Sequence, residues 1–473
     1  MDIVSVLADH LVGVTYDACP PDAVQATKLS ILDTLGTAIA GHSAAGCAAV
    51  VKVVREWGGR PEATVWFDGS RVIAPHAALA NAVMARALDF DDALTKGVHL
   101  SSALLPTTLA LAEARGGLNG RELLATFTVA TDIVARINAA TLDYHGFDPT
   151  LTCGIFGVTA AAARIRGLTP AETIDALGIA LNEASGTFQS NIDGALAVRL
   201  NQGLAACEGI KAAIFAAAGI SGPCNVFEGL YGYAHLYSNG RFDVDRVTAS
   251  LGKRFDGIET FYKRWPSCGA TLAGTDAALA LVNEDGVCGD KVRQGEVTVG
   301  RYHYNLCGSR PFTIGANPAV DAQFSYQYTI ANALLRGRPT LEHFFERSFI
   351  TDAAVTALAG RLRVIPDDEF DDAHGVLATR VKVTLQSGRE LERFVQFPRG
   401  HFRNPARPDE LIEKFHSNVA FARQRGAEIQ NADRMVDTVM ALENMADVTE
   451  LVRWVRPVEA KSGSHMQPGE QQS

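Results

Sequence analysis

The sequence predicts a mainly α fold, a large all-helical domain with a smaller α+β domain inserted into it. Three observations carry this. Helical periodicity dominates up to about residue 255, strand-like alternation enters after about Phe261, and helices return from about Pro408. With 473 residues the chain exceeds what one core usually organises, so two domains are expected. The change of texture sets their edges at 1–262 plus 408–457 for the helical domain and 263–407 for the α+β lid, with a disordered tail over 458–473.

In Val24–Ala40 apolar residues recur at three- and four-residue steps, as at Leu32, Leu35 and Ile39, and Gly41 offers a stop. Thr169-Pro170-Ala171-Glu172 reads as an N-cap, a first-turn proline and an acidic first turn. Gln202–Ala218, closing at Gly219, predicts a buried helix. Beyond Phe261, Glu296–Tyr302 and Ala378–Leu385 alternate as strands do, and Gln386-Ser387-Gly388 marks a hairpin turn. Ala319–Leu335 between them is helical in pattern, as are Asp409–Arg423 and Ala432–Val455 later on. Lys461–Ser473 is polar and without period, which predicts disorder.

Composition narrows the function. A net charge of -10 argues against general nucleic-acid binding, which wants a basic surface, but permits an anionic ligand held by a few cations. The eight cysteines contain no CxxC pair, so neither a zinc cluster nor a dithiol motif is indicated. The amino terminus lacks a basic n-region, and Asp2, Asp9 and His10 interrupt its apolar residues, so it predicts an amphipathic helix. No uninterrupted apolar run reaches the roughly 18 residues of a membrane span. A cytoplasmic protein with no membrane partner is expected. Neither GxGxxG after a strand nor GxxxxGK[ST] occurs, so no nucleotide cofactor is expected.

Four segments hold candidate chemistry. Asp89, Asp91 and Asp92 are followed within ten residues by Lys96 and His99. If this stretch were helical, Asp89, Asp92, Lys96 and His99 would share a face. Ser101 or Ser102 as a cap would put His99 at a helix start, where free N–H groups meet anions. Carboxylate, ammonium and imidazole together suit proton transfer, while a solvated acidic loop and a Mg²⁺ site are the alternatives. The DDxxD spacing of helical prenyl-diphosphate enzymes is not met. The second segment, His145-Gly146-Phe147-Asp148-Pro149-Thr150, enters a small-residue helix. In the third, Arg199, Asn201 and Gln202 enter an Ala/Gly helix, and buried polar groups there need partners, a carboxylate or a neighbouring acid. The fourth, from Tyr262 and Lys263 to Cys268, lies at the change of texture, where basic residues can clamp an anion in a cleft. Cys268 invites a nucleophile reading, and a small turn residue is the alternative.

These segments in this order resemble the MmgE/PrpD family, whose activities include dehydration of 2-methylcitrate, decarboxylation of cis-aconitate and epimerisation of iminodisuccinate. The resemblance spans Ile31 to about Trp454 and is strongest over Leu88–Glu113, Gly146–Ala163, Asn201–Tyr233 and Lys263–Leu279. It implies the helical-domain-plus-insert fold, a cofactor-free enzyme, a homodimer and a site between the domains. In the acidic motif D-F-D-D-T-x(5)-H-P, Asp89, Asp92 and His99 match, while Ala93 and Leu100 replace the Thr and Pro. Asp148 stands at the His of G-x-H-P-T. Val198 and Asn201 stand at the Lys and His of V-K-R-L-H-x-G, Arg199 being kept, and Leu272 stands at the His of C-x-x-x-H. The family's tyrosine falls near Tyr304.

The expected activity is therefore a cofactor-independent lyase of the dehydratase type, moving a proton next to a carboxylate on a small hydroxy- or polycarboxylic acid. Asp89, His99 and Asp148 are the catalytic candidates. Asp92, Lys96, Arg199, Asn201, Gln202, Lys263, Cys268 and Tyr304 are the substrate-binding candidates, and no metal ligand is assigned. An epimerase of an amino- or hydroxy-dicarboxylate and an inactive ligand-binding homologue are the alternatives.

Overall fold

The computed structural model describes residues 2–143, 146–372 and 377–456; His145 and the predicted disordered tail lie outside them. Two hydrophobic cores organise the chain. The larger draws on Ile3 to Phe255 and again on Phe415 to Val455. The smaller runs from Cys268 to Val383. Between them sit three small clusters, Phe90 with Leu88, Leu341 and Phe421, Tyr262 with Leu29 and Leu411, and Phe261 with Trp265 and Leu272. We propose the domain edges there, at 262/263 and 407/408.

The larger core is built of helices whose facing positions are small. Helix Ala74–Arg86 packs against Pro21–Gly41, Ser101–Arg115 and Leu200–Ala217. A Cβ on Gly41 would lie 2.2 Å from the Met84 carbonyl oxygen, so glycine is what lets the first two helices approach. Pro408–Gln424 returns to pack on Pro21–Gly41, which closes the helical core with residues from both ends of the chain. The cap expected at Thr169 forms as a full capping box with Glu172. Helix Gly120–Ala140 is long and apolar enough to cross a membrane by length and composition, and 94% of that window is buried in this fold. Its Asp132–Arg136 ion pair is fully buried.

Two predicted helices are broken. Ala432–Val455 divides into Ala432–Met440, a 3₁₀ turn at Leu442–Asn444 and Glu450–Arg453. The chain leaves the helical path because the Met445 carbonyl takes up the Gly120 N–H and the Asp447 carboxylate takes up Thr449. Ala319–Leu335 divides into Pro318–Gln323 and Tyr326–Arg336, the second capped by the Ser325 hydroxyl.

Two short strands, β1 (Ala63–Thr64) and β2 (Arg71–Val72), form a small antiparallel pair on the helical body. The main sheet has four strands, β3 (Val292–Val299), β4 (Leu362–Pro366), β5 (Thr379–Leu385) and β6 (Glu390–Val395), in the order β4-β3-β5-β6. β5 and β6 make the expected hairpin, with Gly388 at φ +87. β3 and β4 are parallel, so the chain must cross over between them. That crossover starts at Gly300. Tyr302, expected at the end of a strand, instead sits in a single turn, Arg301–His303, which brings Tyr302 and His303 to the cavity described next.

Candidate active site

A cavity of about 310 Å³ lies where the helical core meets the smaller core. Of the predicted site residues, Asp89, Lys96, His99, Asp148, Lys263 and Cys268 line it. Asp92, Arg199, Asn201, Gln202 and Tyr304 do not.

The acidic segment is a loop, not the helix considered from its spacing. Asp89 and Lys96 both have left-handed backbone, at φ +49 and φ +60, which a helix does not allow. A short antiparallel bridge, Ala93 N–H to the Phe261 carbonyl at 2.9 Å and Phe261 N–H to the Ala93 carbonyl at 2.7 Å, ties the loop to the start of the second module. The following helix begins at Ser101. Its serines do not cap it, because Ser101 donates to an Asp92 carboxyl oxygen instead, at 2.7 Å.

Asp89 is held by two cations. Arg86 donates to its Oδ1, and Lys263 Nζ reaches the same oxygen at 2.7 Å and the Asp89 carbonyl at 3.0 Å. Burial pushes this carboxyl up, but the Arg86 and Lys263 charges outweigh it and hold it below the usual range. Lys263 is therefore pinned on Asp89 at the wall.

His99 contacts two acceptors. Its Nδ1 is 3.0 Å from the Asp92 carbonyl and 3.2 Å from Asp91 Oδ2. A carbonyl only accepts, so Nδ1 carries the proton and Nε2 keeps the lone pair in the neutral ring. Burial, then the Arg86 charge, lower the His99 pKa, while Asp91 pulls it back up. Asp91 itself is buried and held well below the carboxylate range, because His99 and Arg86, the latter 3.5 Å away, outweigh the cost of burial. The ring is thus a neutral base at pH 7 with an ionised carboxylate beside it, ready to stabilise the imidazolium formed when Nε2 takes a proton.

Asp148 caps the turn Pro149–Thr152, accepting the Thr150 N–H at 2.9 Å, and its other oxygen accepts from Asn201. The Thr150 hydroxyl accepts the His99 N–H at 3.0 Å, which links the Asp148 turn to the His99 segment. Asn201 thus acts on the wall through Asp148. Lys96 lines the cavity while its Nζ donates to the carbonyls of Asn138 and Thr141. Cys268 is hydrogen-bonded to Cys307, and that bond lowers its thiol pKa despite burial. Among the described residues no hydrogen bond joins Cys268 to a histidine.

Four predicted residues are turned to structural work. Arg199 donates to the Ala45 carbonyl at 2.5 Å. Gln202 is buried in the helix Leu200–Ala217. Tyr304 packs against the smaller core. Asp92 faces away, toward Asp33. Burial and the Asp33 carboxyl push Asp92 up to about 8, so it is a neutral acid at pH 7. Below it Lys414 pairs with Asp33 at 2.6 Å, donates to the Phe90 carbonyl at 2.6 Å and lies 3.9 Å from the Phe90 ring centre.

The sequence reading missed Arg86, Tyr302, His303 and His401 on the wall. Arg86 was findable, as the cation one helical turn before Asp89. Tyr302 and His303 were hidden by the strand pattern. His401 sits in an irregular loop after β6, stacked on Phe397, and carried no signal. Burial lowers the pKa of both His303 and His401 to about 4, so both are neutral. Among the described residues no cluster of three or more His, Cys, Asp or Glu side chains forms a metal cage.

A neutral histidine, paired cations and a buried carboxylate around a partly open cavity make a site suited to acid–base work on a small molecule. Comparison with known proteins agrees in kind. The profile of the MmgE/PrpD N-terminal domain matches residues 5–245, and that of the MmgE/PrpD C-terminal domain matches residues 265–438. The chain belongs to the MmgE/PrpD family. Among its relatives is the cis-aconitate decarboxylase of Homo sapiens, 27% identical over 455 residues, covering 93% of this chain and 92% of the relative. The cis-aconitate decarboxylases of Mus musculus and Aspergillus terreus are each 24% identical, over 92% of this chain and 89% and 92% of the relatives.

Proposed function

We propose that this chain is a cofactor-independent lyase that moves a proton next to a carboxylate on a small carboxylic acid. The relatives named above are cis-aconitate decarboxylases by name, which supports a lyase reading. The observation that carries the reading is the His99–Asp91 pair at the cavity wall, a neutral base with its partner carboxylate. In this reading Arg86 and Lys263, with Lys96, receive the substrate carboxylate. Removing an α-proton builds negative charge on that group, and these cations with the Asp89 counter-charge set how much is stabilised. His99 Nε2 takes the proton. The leaving group departs with a proton from an acid on the wall, for which Asp148, tied to the His99 segment through Thr150, is the candidate. An isomerase or epimerase is the second reading. It is favoured by the same fact, since a second acid–base group tied to the His99 segment through Thr150 is what two-base chemistry needs.

Proton NMR in D₂O over hydroxy-, amino- and unsaturated carboxylic acids separates the two. A new vinyl signal marks the lyase, and α-deuteration with loss of stereochemistry marks the epimerase. Neither signal with any acid would leave a ligand-binding homologue. A chelator is expected to leave the rate unchanged, and a loss of rate would point to metal at the acidic segment. The homodimer and the cytoplasmic setting belong to the same proposal, and light scattering of the full chain tests the first.

A further inference from the structure

The eight cysteines divide by what their thiols touch. Cys19, Cys47 and Cys153 are buried and donate to the carbonyls of Thr15, Gly41 and Val134. Burial pushes Cys19 and Cys47 up to about 11, and Cys153 and Cys207 up to about 12. Thiols of that kind carry almost no thiolate at pH 7 and are inert. Cys224 and Cys288 are exposed. Cys268 and Cys307 differ from the rest. They lie together in the smaller core, hydrogen-bonded to each other, the Cys307 thiol donating to the Cys268 sulfur.

The pair stands at a partition between two cavities. Cys268, 9% exposed, lines the cavity described above. Cys307, 5% exposed, lines a second cavity of about 220 Å³, and Asn191, Leu306 and Phe324 line both. A water-sized oxidant can therefore approach the pair from either cavity. One partner is fixed. The Cys268 N–H donates to the Gln323 carbonyl at 3.0 Å, and the Cys268 carbonyl accepts the Thr271 N–H and hydroxyl, each at 2.9 Å. The other partner sits in a π-helical turn, Tyr304–Gly308. Such a turn is rare, and its i→i+5 bonding holds one residue more than an α turn, so it can tighten without unravelling.

We infer that Cys268 and Cys307 form a reversible oxidation site, where hydrogen peroxide joins them in a disulfide that draws the Tyr304–Gly308 turn toward Gly269–Thr271 and remodels the cavity wall. The step balances. The Cys268 thiol gives up its proton and its sulfur attacks the peroxide, so an S–O bond forms and the O–O bond breaks. The departing hydroxide takes that proton as water, and Cys268 is left as a sulfenic acid. The Cys307 sulfur then attacks the Cys268 sulfur. The S–S bond forms, the S–O bond breaks, and hydroxide leaves with the Cys307 proton as a second water. The two thiols lose two electrons, and the peroxide gains them. Exchange with dithiothreitol returns both thiols. A covalent S–S bond is much shorter than a thiol hydrogen bond, so closing it pulls on the turn. Leu306 beside Cys307, with Tyr302 and His303 just before the turn, lie on the cavity wall and shift with it.

Peptide mass spectrometry on the full chain tests the bond. Cys288→Ser is the background, because Cys288 shares the tryptic segment 265–291 with Cys268. After hydrogen peroxide, then alkylation in denaturant, segment 265–291 is expected linked to 302–336, and dithiothreitol should abolish the link. Absence of the link, with Cys268 alkylated or converted to a sulfinic acid, overturns the inference. Adding Cys307→Ser should leave Cys268 as a sulfenic acid that dimedone captures, and no dimedone adduct there overturns Cys268 as the attacking thiol. Amide exchange over 302–308 reads the wall without any substrate. It should slow severalfold in the oxidised protein, and unchanged exchange overturns the remodelling. Neither readout uses a reaction, so their failure leaves the proposed function standing, and absence of turnover with every acid leaves the disulfide standing.

Discussion

Lys414→Met removes the cation beneath the site. In the intact protein Lys414 is fully buried, 2.6 Å from Asp33, and it also holds the Phe90 carbonyl in the loop that carries Asp89 and Asp91. Burial lowers the Lys414 pKa and raises that of Asp33, the Coulomb attraction notwithstanding, so both ions are held at a desolvation cost. Deleting one partner leaves the Asp33 carboxylate uncompensated beside Asp92. Breaking a buried pair costs about 3–5 kcal/mol, so that is the loss expected near pH 8. A carboxyl whose folded pKa is raised stabilises the fold below its unfolded pKa, and that contribution is lost as pH rises through the folded value. The deficit of Lys414→Met must therefore shrink on acidification, by up to about 1.4 kcal/mol for each pH unit over which Asp33 takes up its proton. The double change Asp33→Asn with Lys414→Met should regain most of the loss, because it removes both charges. Urea unfolding of the three variants and the parent at pH 5 and 8 reads this. A deficit below about 1 kcal/mol at pH 8, of the size seen for exposed pairs, or one that grows on acidification, refutes the buried pair as described.

Two further expectations follow from the same loop. Asp92→Asn should flatten the pH dependence of stability, because the stabilisation that Asp92 supplies is complete below its unfolded value near 3.8 and lost as pH rises through about 8; urea midpoints at both ends show whether it does. Asp91→Asn should move the acid limb of the rate profile to lower pH than the parent's, which already lies below 6.5, because Asp91 is what pulls the His99 pKa upward. An unmoved limb would assign the limb to another group.

Much of this was legible in the sequence, for identifiable reasons. The helices with three- and four-residue apolar spacing, such as Pro21–Gly41, were visible because their large apolar residues keep that spacing, although Pro21–Gly41 is buried on every side from Thr27 to Gly41. The Thr169 cap was visible because its chemistry is local. The breaks at Ser325 and Met445 were not, since each depends on a partner distant in sequence or on a side-chain cap inside an unbroken apolar pattern. The acidic segment was found from residue types, but its shape was not. Left-handed backbone at Asp89 and Lys96 is stabilised by Lys263, Arg86 and the carbonyls of Asn138 and Thr141, all supplied by other elements. The same reasoning explains the misplaced binders. Arg199 and Gln202 carry the right chemistry, but only tertiary packing decides whether an arginine meets a ligand or the Ala45 carbonyl.

The central claim is that His99 is the base. It is tested by the initial rate of α-deuteration or vinyl formation, followed by proton NMR in D₂O, for the parent and for His99→Asn on an acid the parent turns over, with circular dichroism to check the fold. Loss of a positioned general base costs roughly 10²–10⁴-fold, and a folded His99→Asn protein slowed by about that much is the predicted result. A folded variant within about threefold of the parent would contradict it.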